Sequence, residues 1–244
     1  MIKKLIILFI YAFSTNYSFA QYTEYAIVLG SGFFNFQRNP DQVGTSLIAL
    51  QGGSFPETTQ SPYGENAGLS YSAALQVQSV IEGDIIFGLQ LAYERLQSQQ
   101  AVNDFGGNLT NNFQLNTGES VLNNQFINVF PYLGKRITTK DEAIDIDLFL
   151  GTEFAFFIES KELVEASTIT GQNISFETLR NEPVFDFRVR FGVNIYYKFI
   201  GLTAGYSYGF VNYNAPSFRE PTVPIAESRM LRLGLLYRIN NPRK

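Results

Sequence analysis

Eight stretches of this chain alternate apolar and polar residues, and the segments that join them run long, short, long, short, long, short, long. The clearest stretch is 184–198. There Phe185, Phe187, Val189, Phe191, Val193, Ile195 and Tyr197 take one face, and Asp186, Arg188, Arg190, Gly192, Asn194, Tyr196 and Lys198 take the other. A period of two is a strand's signature, because successive side chains point to opposite sides of the backbone. The others lie at 25–36, 69–78, 87–94, 126–137, 144–158, 202–210 and 231–239, with short turns at 82–84, 138–142 and 199–201. Long connections on one rim and tight turns on the other predict an all-β fold, an eight-stranded antiparallel up-and-down transmembrane β-barrel. A ten-stranded barrel, with Val43 to Leu50 as part of an extra hairpin, is the alternative architecture. The stretch 25–36 is apolar on both faces and has no readable facing.

Alternation alone also fits a secreted barrel that turns its apolar face inward. The second face separates the two readings. A wet exterior favours Lys, Glu and Thr, whereas here the face repeats Ser72, Ala74, Gly88, Ala92, Gly151, Ala155, Gly192, Gly205, Gly209 and Gly234. Small residues suit the crowded inside of a narrow barrel, and the longer segments exceed the about 9–11 residues that a tilted strand needs to cross a bilayer. The lipid-bathed barrel is the favoured reading.

The start of the chain fits that address. Lys3 and Lys4 precede the apolar run Leu5 to Phe13, and Ser18-Phe19-Ala20 offers small residues for cleavage before Gln21. Residues 1–20 are therefore expected to be a signal peptide, and 21–244 one outer-membrane barrel domain with both termini in the periplasm of a Gram-negative-type cell. The 23 Phe and 14 Tyr suit the interfaces of such a barrel. Acidic residues number 22 against 18 basic, which leaves no footprint for nucleic acid. With neither Cys nor His, disulfides, thiolate metal sites and histidine-based catalysis are all excluded.

Three segments carry a family resemblance: Phe126-Ile-Asn-Val-Phe-Pro-Tyr-Leu-Gly-Lys-Arg-Ile137, Leu148-Phe-Leu-Gly-Thr-Glu-Phe154 and Leu231-Arg-Leu-Gly-Leu-Leu-Tyr-Arg238. They resemble the outer membrane β-barrel domain family typified by PorT-like proteins. That resemblance implies a barrel without assigned enzymatic residues and, for some members, a role in protein secretion. Pro131 lacks the N–H that a ladder expects, so a local bulge is predicted there. Barrels of this kind usually end on an aromatic residue, whereas this chain runs past Tyr237 to Lys244.

The one notable constellation is charge on the predicted inner face: Glu94, Arg136, Asp147, Glu153, Asp186, Arg188, Arg190, Arg232 and Arg238. Arg136 and Asp147 are expected near the periplasmic rim on neighbouring strands, and Glu153 opposite Arg188 or Arg190 near mid-height. Burying such groups is costly unless they pair, so a structural salt-bridge network is expected in place of a polar conduit. Asp145 and Asp147 share a face and read as partners of Arg136, not as a catalytic dyad. The carboxylates Asp41, Asp104 and Glu119 lack calcium-loop spacing, so no metal or other cofactor is expected. The sequons at Asn108 and Asn173 read as chance matches in Asn-rich segments.

The connections 37–67, 97–124, 160–182 and 214–227 are rich in Asn, Gln, Gly, Ser and Thr. They are expected to be extracellular loops without a core of their own, with 43–50 and 174–179 prolonging strands beyond the membrane. Phe55, Tyr63, Phe105, Phe113, Phe176 and Phe218 punctuate these connections, as anchors for a contact or as packing against the rim. The chain thus reads as a non-enzymatic, monomeric barrel that contacts outer-membrane lipid and serves a structural or partner-binding role. Its partner would be an envelope or secretion protein. A small-solute pore is the alternative.

Overall fold

The computed structural model describes residues 20–38, 44–48, 56–105, 115–139, 143–180, 183, 185–214 and 225–240. The expected leader lies outside them, except for Ala20, which opens the first strand. Among the described residues there are eleven strands: β1 (Ala20–Arg38), β2 (Thr45–Ile48), β3 (Thr58–Thr59), β4 (Asn66–Ile81), β5 (Ile85–Phe105), β6 (Leu115–Thr138), β7 (Ile144–Thr168), β8 (Asn173–Leu179), β9 (Phe185–Tyr197), β10 (Ile200–Gly209) and β11 (Ala226–Arg238).

Eight of them close a ring in the order β1-β4-β5-β6-β7-β9-β10-β11 and back to β1, with every pairing antiparallel. The ten-stranded alternative is thereby corrected. β2, which falls inside Val43 to Leu50, runs parallel to the outer end of β5 and pairs with β3, outside the ring. The seam pairs Ala26 with Arg238 and continues to Arg38 opposite Ala226. Beyond the last rung, Ile239 N–H donates to the Tyr25 carbonyl at 2.7 Å, and the Asn240 amide accepts from Tyr25 N–H and donates to the Thr23 carbonyl, each at 2.8 Å. The residues after Tyr237 therefore extend the closure.

The short turns after β4 and β9 are tight, as the sequence predicts. Gly83 and Asp84 take positive φ at 79° and 62°, and Asp84 N–H donates to the Ile81 carbonyl. The turn placed at 199–201 sits one residue earlier, between Tyr197 and Ile200, with Lys198 at φ 57°.

Facing is inverted relative to a water-soluble domain. Leu29, Leu75, Leu133, Leu202 and Leu235 are about 60% exposed on the outside, while Glu24, Glu94, Arg136, Glu153 and Asp186 are buried inside. β1, unreadable in sequence, turns Glu24, Ala26 and Val28 inward and Tyr25, Ile27 and Leu29 outward. Tyr25, Tyr197 and Tyr237 mark the outside of the short-turn rim, and Tyr71, Tyr93 and Tyr208 mark the other. The interior glycines make room: a Cβ on Gly88 would run into the Tyr132 ring, and one on Gly209 into Ser228 and Asp186.

Two expectations fail. The first concerns Pro131, where the β6–β7 ladder skips the rungs of Phe130 and Pro131 but resumes at Tyr132 opposite Gly151 in unchanged register. A missing donor breaks two rungs without inserting a residue. The bulge lies instead on β7, where Gln125 faces Glu159 and Phe126 faces Phe157, leaving Ile158 extra. One extra residue flips the facing of everything after it. Glu153 and Ala155 point inward before the bulge, and Ser160, Glu162, Val164 and Ala166 after it.

The second concerns the loops. β5, β6 and β7 run for 21, 24 and 25 residues, about twice what a crossing needs. They carry the ladder well beyond the barrel, through much of 97–124 and 160–182. β8 pairs with the outer part of β7, and β2 with that of β5. The resulting sheet has its own core of Leu47, Val102, Phe105, Val164 and Ala166, with Leu115, Ile174 and Phe176 against it. Each segment alone is too polar to fold, but one or two apolar residues from each of five strands pool into a single buried cluster. Deleting Ile158 should turn Glu162 and Val164 outward. Hydrogen exchange of the deletion variant is expected to show fast amides in 160–179 while β9 to β11 stay protected.

Candidate functional site

Two layers of charge cross the barrel interior. The layer near the short-turn rim starts from Arg136 on β6, whose fork reaches two walls at once. It donates to Asp147 on the neighbouring strand at 2.6 and 2.7 Å, and across the lumen to Glu24 on β1 at 2.8 and 2.7 Å. Arg238 on β11 joins Asp145 at 3.0 Å and stacks 3.9 Å over the Tyr196 ring. Gln78 on β4 bridges the acids, donating to Glu24 at 2.7 Å and to Asp147 at 3.0 Å. Asp145 and Asp147 thus both face in, each held by an arginine.

The second layer lies at mid-height. Glu153 on β7 accepts from Arg188 at 3.0 Å and Arg232 at 2.8 Å, and lies 3.5 Å from Arg190. Glu94 on β5 accepts from Arg232 at 2.9 Å and lies 3.3 Å from Arg188. Arg188 also donates to Asp186 at 2.7 Å, and Asp186 accepts further from Ser228 at 2.6 Å and Tyr213 at 2.8 Å. The guanidinium groups of Arg188 and Arg190 each sit 4.7 Å above a ring, Phe126 and Phe130 respectively. Such a stack pairs a cation with the electron-rich face of an aromatic in a dry setting.

All nine residues named from the sequence, Glu94, Arg136, Asp147, Glu153, Asp186, Arg188, Arg190, Arg232 and Arg238, lie inside the ring. They divide between these two layers. Glu24 is not among the nine, because it lies one residue ahead of the stretch 25–36. The even spacing Glu24, Ala26, Val28 is the signal that would have found it. Polar side chains share the space between layers with the rings of Phe130, Tyr132 and Phe149. Gln90 accepts from Arg190 at 2.9 Å, and Tyr132 donates to Gln78 at 2.8 Å.

Above the charges the interior turns aromatic. Phe34, Phe36, Tyr63, Leu96, Leu122, Phe126, Tyr213 and Met230 form one buried cluster, with Phe36, Tyr63 and Tyr213 in mutual edge-to-face contact at 4.8 to 5.6 Å. Tyr63 is therefore packing, as are Phe105 and Phe176 in the outer sheet. Phe55, Phe113, Phe218, Asp41 and Asn108 lie outside the described residues.

The outer sheet curls so that β2 and β3 face β7 and β8. Buried Glu162 accepts from Thr59 and Ser120 at 2.5 Å and pairs with Arg180. Arg180 also donates to the Thr59 carbonyl at 2.9 Å, and Thr178 to that of Glu57 at 2.5 Å. On the solvent face, Lys161 lies 3.5 Å from Glu159 and 3.4 Å from Glu177. The Glu159 charge, and next the Glu177 bond, raise its ammonium pKa above the ordinary value.

No family model matches the chain, and no curated protein does. Among solved structures it is similar to the attachment invasion locus protein Ail of Yersinia pestis, at 13% identity over 90% of this chain and 100% of that one, with a TM-score of 0.39. It is similar to a major outer membrane protein from Thermus thermophilus, at 13% identity over 90% and 100%, TM-score 0.43. A third is Neisserial surface protein A, at 10% identity over 89% and 99%, TM-score 0.39. At those scores the likeness carries no functional argument.

Removing one member of the mid-height layer leaves buried charges uncompensated. Glu153→Ala should destabilise the folded barrel by about 3–5 kcal/mol, the range for breaking one side of a buried pair. Equilibrium unfolding in urea from lipid vesicles checks this, with Gln172→Ala, at an exposed position of the turn between β7 and β8, as the control that should change little.

Proposed function

We propose that this chain is an integral, monomeric outer-membrane barrel that performs no reaction and presents a folded β-sheet outside the cell to a protein partner of the envelope. The observation that carries this reading is the extension of β5, β6 and β7 past the barrel into a sheet with a buried core of its own. A barrel needed only as an anchor gains nothing from strands of that length. A sheet that is ordered before contact keeps down the entropy lost on binding.

The membrane address rests on the inverted facing: leucines outside, arginine–carboxylate layers inside, and tyrosines at both rims. An aliphatic belt of that extent is stable in lipid and not in water. The segment 1–20 is then the leader, removed near Ala20. The short-turn rim faces the periplasm, where the secretion-associated role implied by the PorT-like resemblance would act.

A solute pore is the second reading, favoured only by the polarity of the lumen. It would have to pass between arginines bonded to opposite walls, Arg136 to β1 and β7, and Arg232 to β5 and β7. In planar bilayers the purified full chain is expected to give no stepwise conductance. On intact cells, Leu179→Cys should react with a membrane-impermeant maleimide and Lys198→Cys should not. Regular conductance steps would replace the sealed lumen by the pore, and reversed labelling would overturn the orientation.

A further inference from the structure

The outer sheet has one edge that nothing described covers. Arg180 N–H donates to the Ser160 carbonyl, and Thr168 N–H to that of Gln172, in the same register that pairs Ile174 with Ala166 and Thr178 with Glu162. In an antiparallel ladder bonded pairs alternate with non-bonded ones. The even-numbered residues of β8 therefore bond β7, and Asn173, Ser175, Glu177 and Leu179 aim their N–H and C=O groups away from it. No described strand lies on that side of β8. Its side chains on the solvent face are exposed, Leu179 at 68%.

The surface beside this edge is acidic. Glu119 on β6 and Glu165 on β7 are direct cross-strand partners, and both are exposed. Like charges placed opposite one another are unfavourable, and neither has an ion-pair partner among the described residues. Glu177 and Glu159 share the cation Lys161. A shallow concavity of about 650 Å³ lies over Thr117 to Glu119, Glu165 to Ser167 and Asn173 to Ser175, so it reaches from the carboxylates to the open edge.

We infer that the free edge of β8 receives an extended, basic segment of a partner protein by strand addition. Its backbone would pair with Ser175, Glu177 and Leu179, and its lysine or arginine side chains would lie beside Glu177 and reach toward Glu165, with Glu119 on the next strand adding to the acidic field. Main-chain bonds supply affinity in this mode, and side chains on alternate positions supply selectivity. The inference rests on the reading above only in placing the sheet outside the cell.

The probe is a short synthetic peptide of alternating Lys and Val, added to the full chain in detergent micelles and followed by fluorescence polarisation. Binding is expected, with slowed exchange of the Ser175 and Glu177 amides. A Glu–Val peptide should not bind, nor should the Lys–Val peptide N-methylated along one edge. Ser175→Pro removes an outward N–H while sparing the β7 ladder, and is expected to abolish binding. Glu119→Gln combined with Glu165→Gln should weaken it on the order of tenfold and flatten its salt dependence. Equal binding of the N-methylated peptide would reduce the contact to charge alone and overturn strand addition, as would no binding at all. If the peptide binds in micelles but Leu179→Cys stays unlabelled on cells, the edge stands and the outward orientation falls.

Discussion

A narrow closed ring buries its interior side chains, so every charge inside has to be answered by a polar group on the surrounding wall. Six carboxylates, Glu24, Glu94, Asp145, Asp147, Glu153 and Asp186, meet five guanidinium groups, Arg136, Arg188, Arg190, Arg232 and Arg238. Beside pairs within a strand or between neighbours, several answering groups come from strands that are not neighbours: β6 to β1, β11 to β5 and β7, β9 to β5. A one-residue slip of any of these strands would turn its charges toward the exterior and orphan their partners. The lumen network therefore acts as a check on register, at positions where an aliphatic belt on the outside would accept many alternatives. Whether such pairs add net stability over an apolar filling is a separate matter, since desolvation offsets much of their attraction.

The same register logic explains how a barrel with an apolar exterior continues into a sheet with an apolar core. Along the barrel, β7 puts apolar residues outward; in the outer sheet, it puts them inward. Phe154, Phe156 and Ile158 do the first and Val164 and Ala166 the second, and the bulge at Ile158 lets one strand do both. β6 needs no such switch because its outer residues Gln125, Asn123, Glu119 and Thr117 are already polar on the outward side. The inversion of solvent along β7 is thus written as a single extra residue.

What was legible in the sequence followed from local periodicity. The alternation of 184–198 and 231–239 showed strand, facing and inner charges together, because those strands are amphipathic along their length. β1 resisted, since lumen positions Val28, Phe34 and Phe36 pack beneath and within the aromatic cluster and are as apolar as the belt outside. The outer sheet reads as loop for a different reason. Its core draws on Leu47, Phe105, Val164 and Phe176 from four separate segments, and no window of the chain contains enough of them to signal burial. Pro131 misleads because a missing donor is equated with an inserted residue, whereas the ladder tolerates absent rungs so long as the count on both strands agrees.

An exposed sheet edge is ordinarily a hazard that proteins blunt with charge, twist or a cover. β8 is blunted only in part, since Glu177 is tied to Lys161 on its solvent face while its odd-numbered backbone groups meet no strand among the described residues. Two circumstances make that tolerable. The barrel fixes each copy in a lipid plane with its sheet standing along the barrel's own direction, which removes most of the orientations through which soluble edges find one another. The acidic face formed by Glu119, Glu165 and Glu177 adds repulsion between identical edges, while leaving a basic strand free to approach. The features that keep the edge from pairing with its own kind are those that select for a partner of opposite charge.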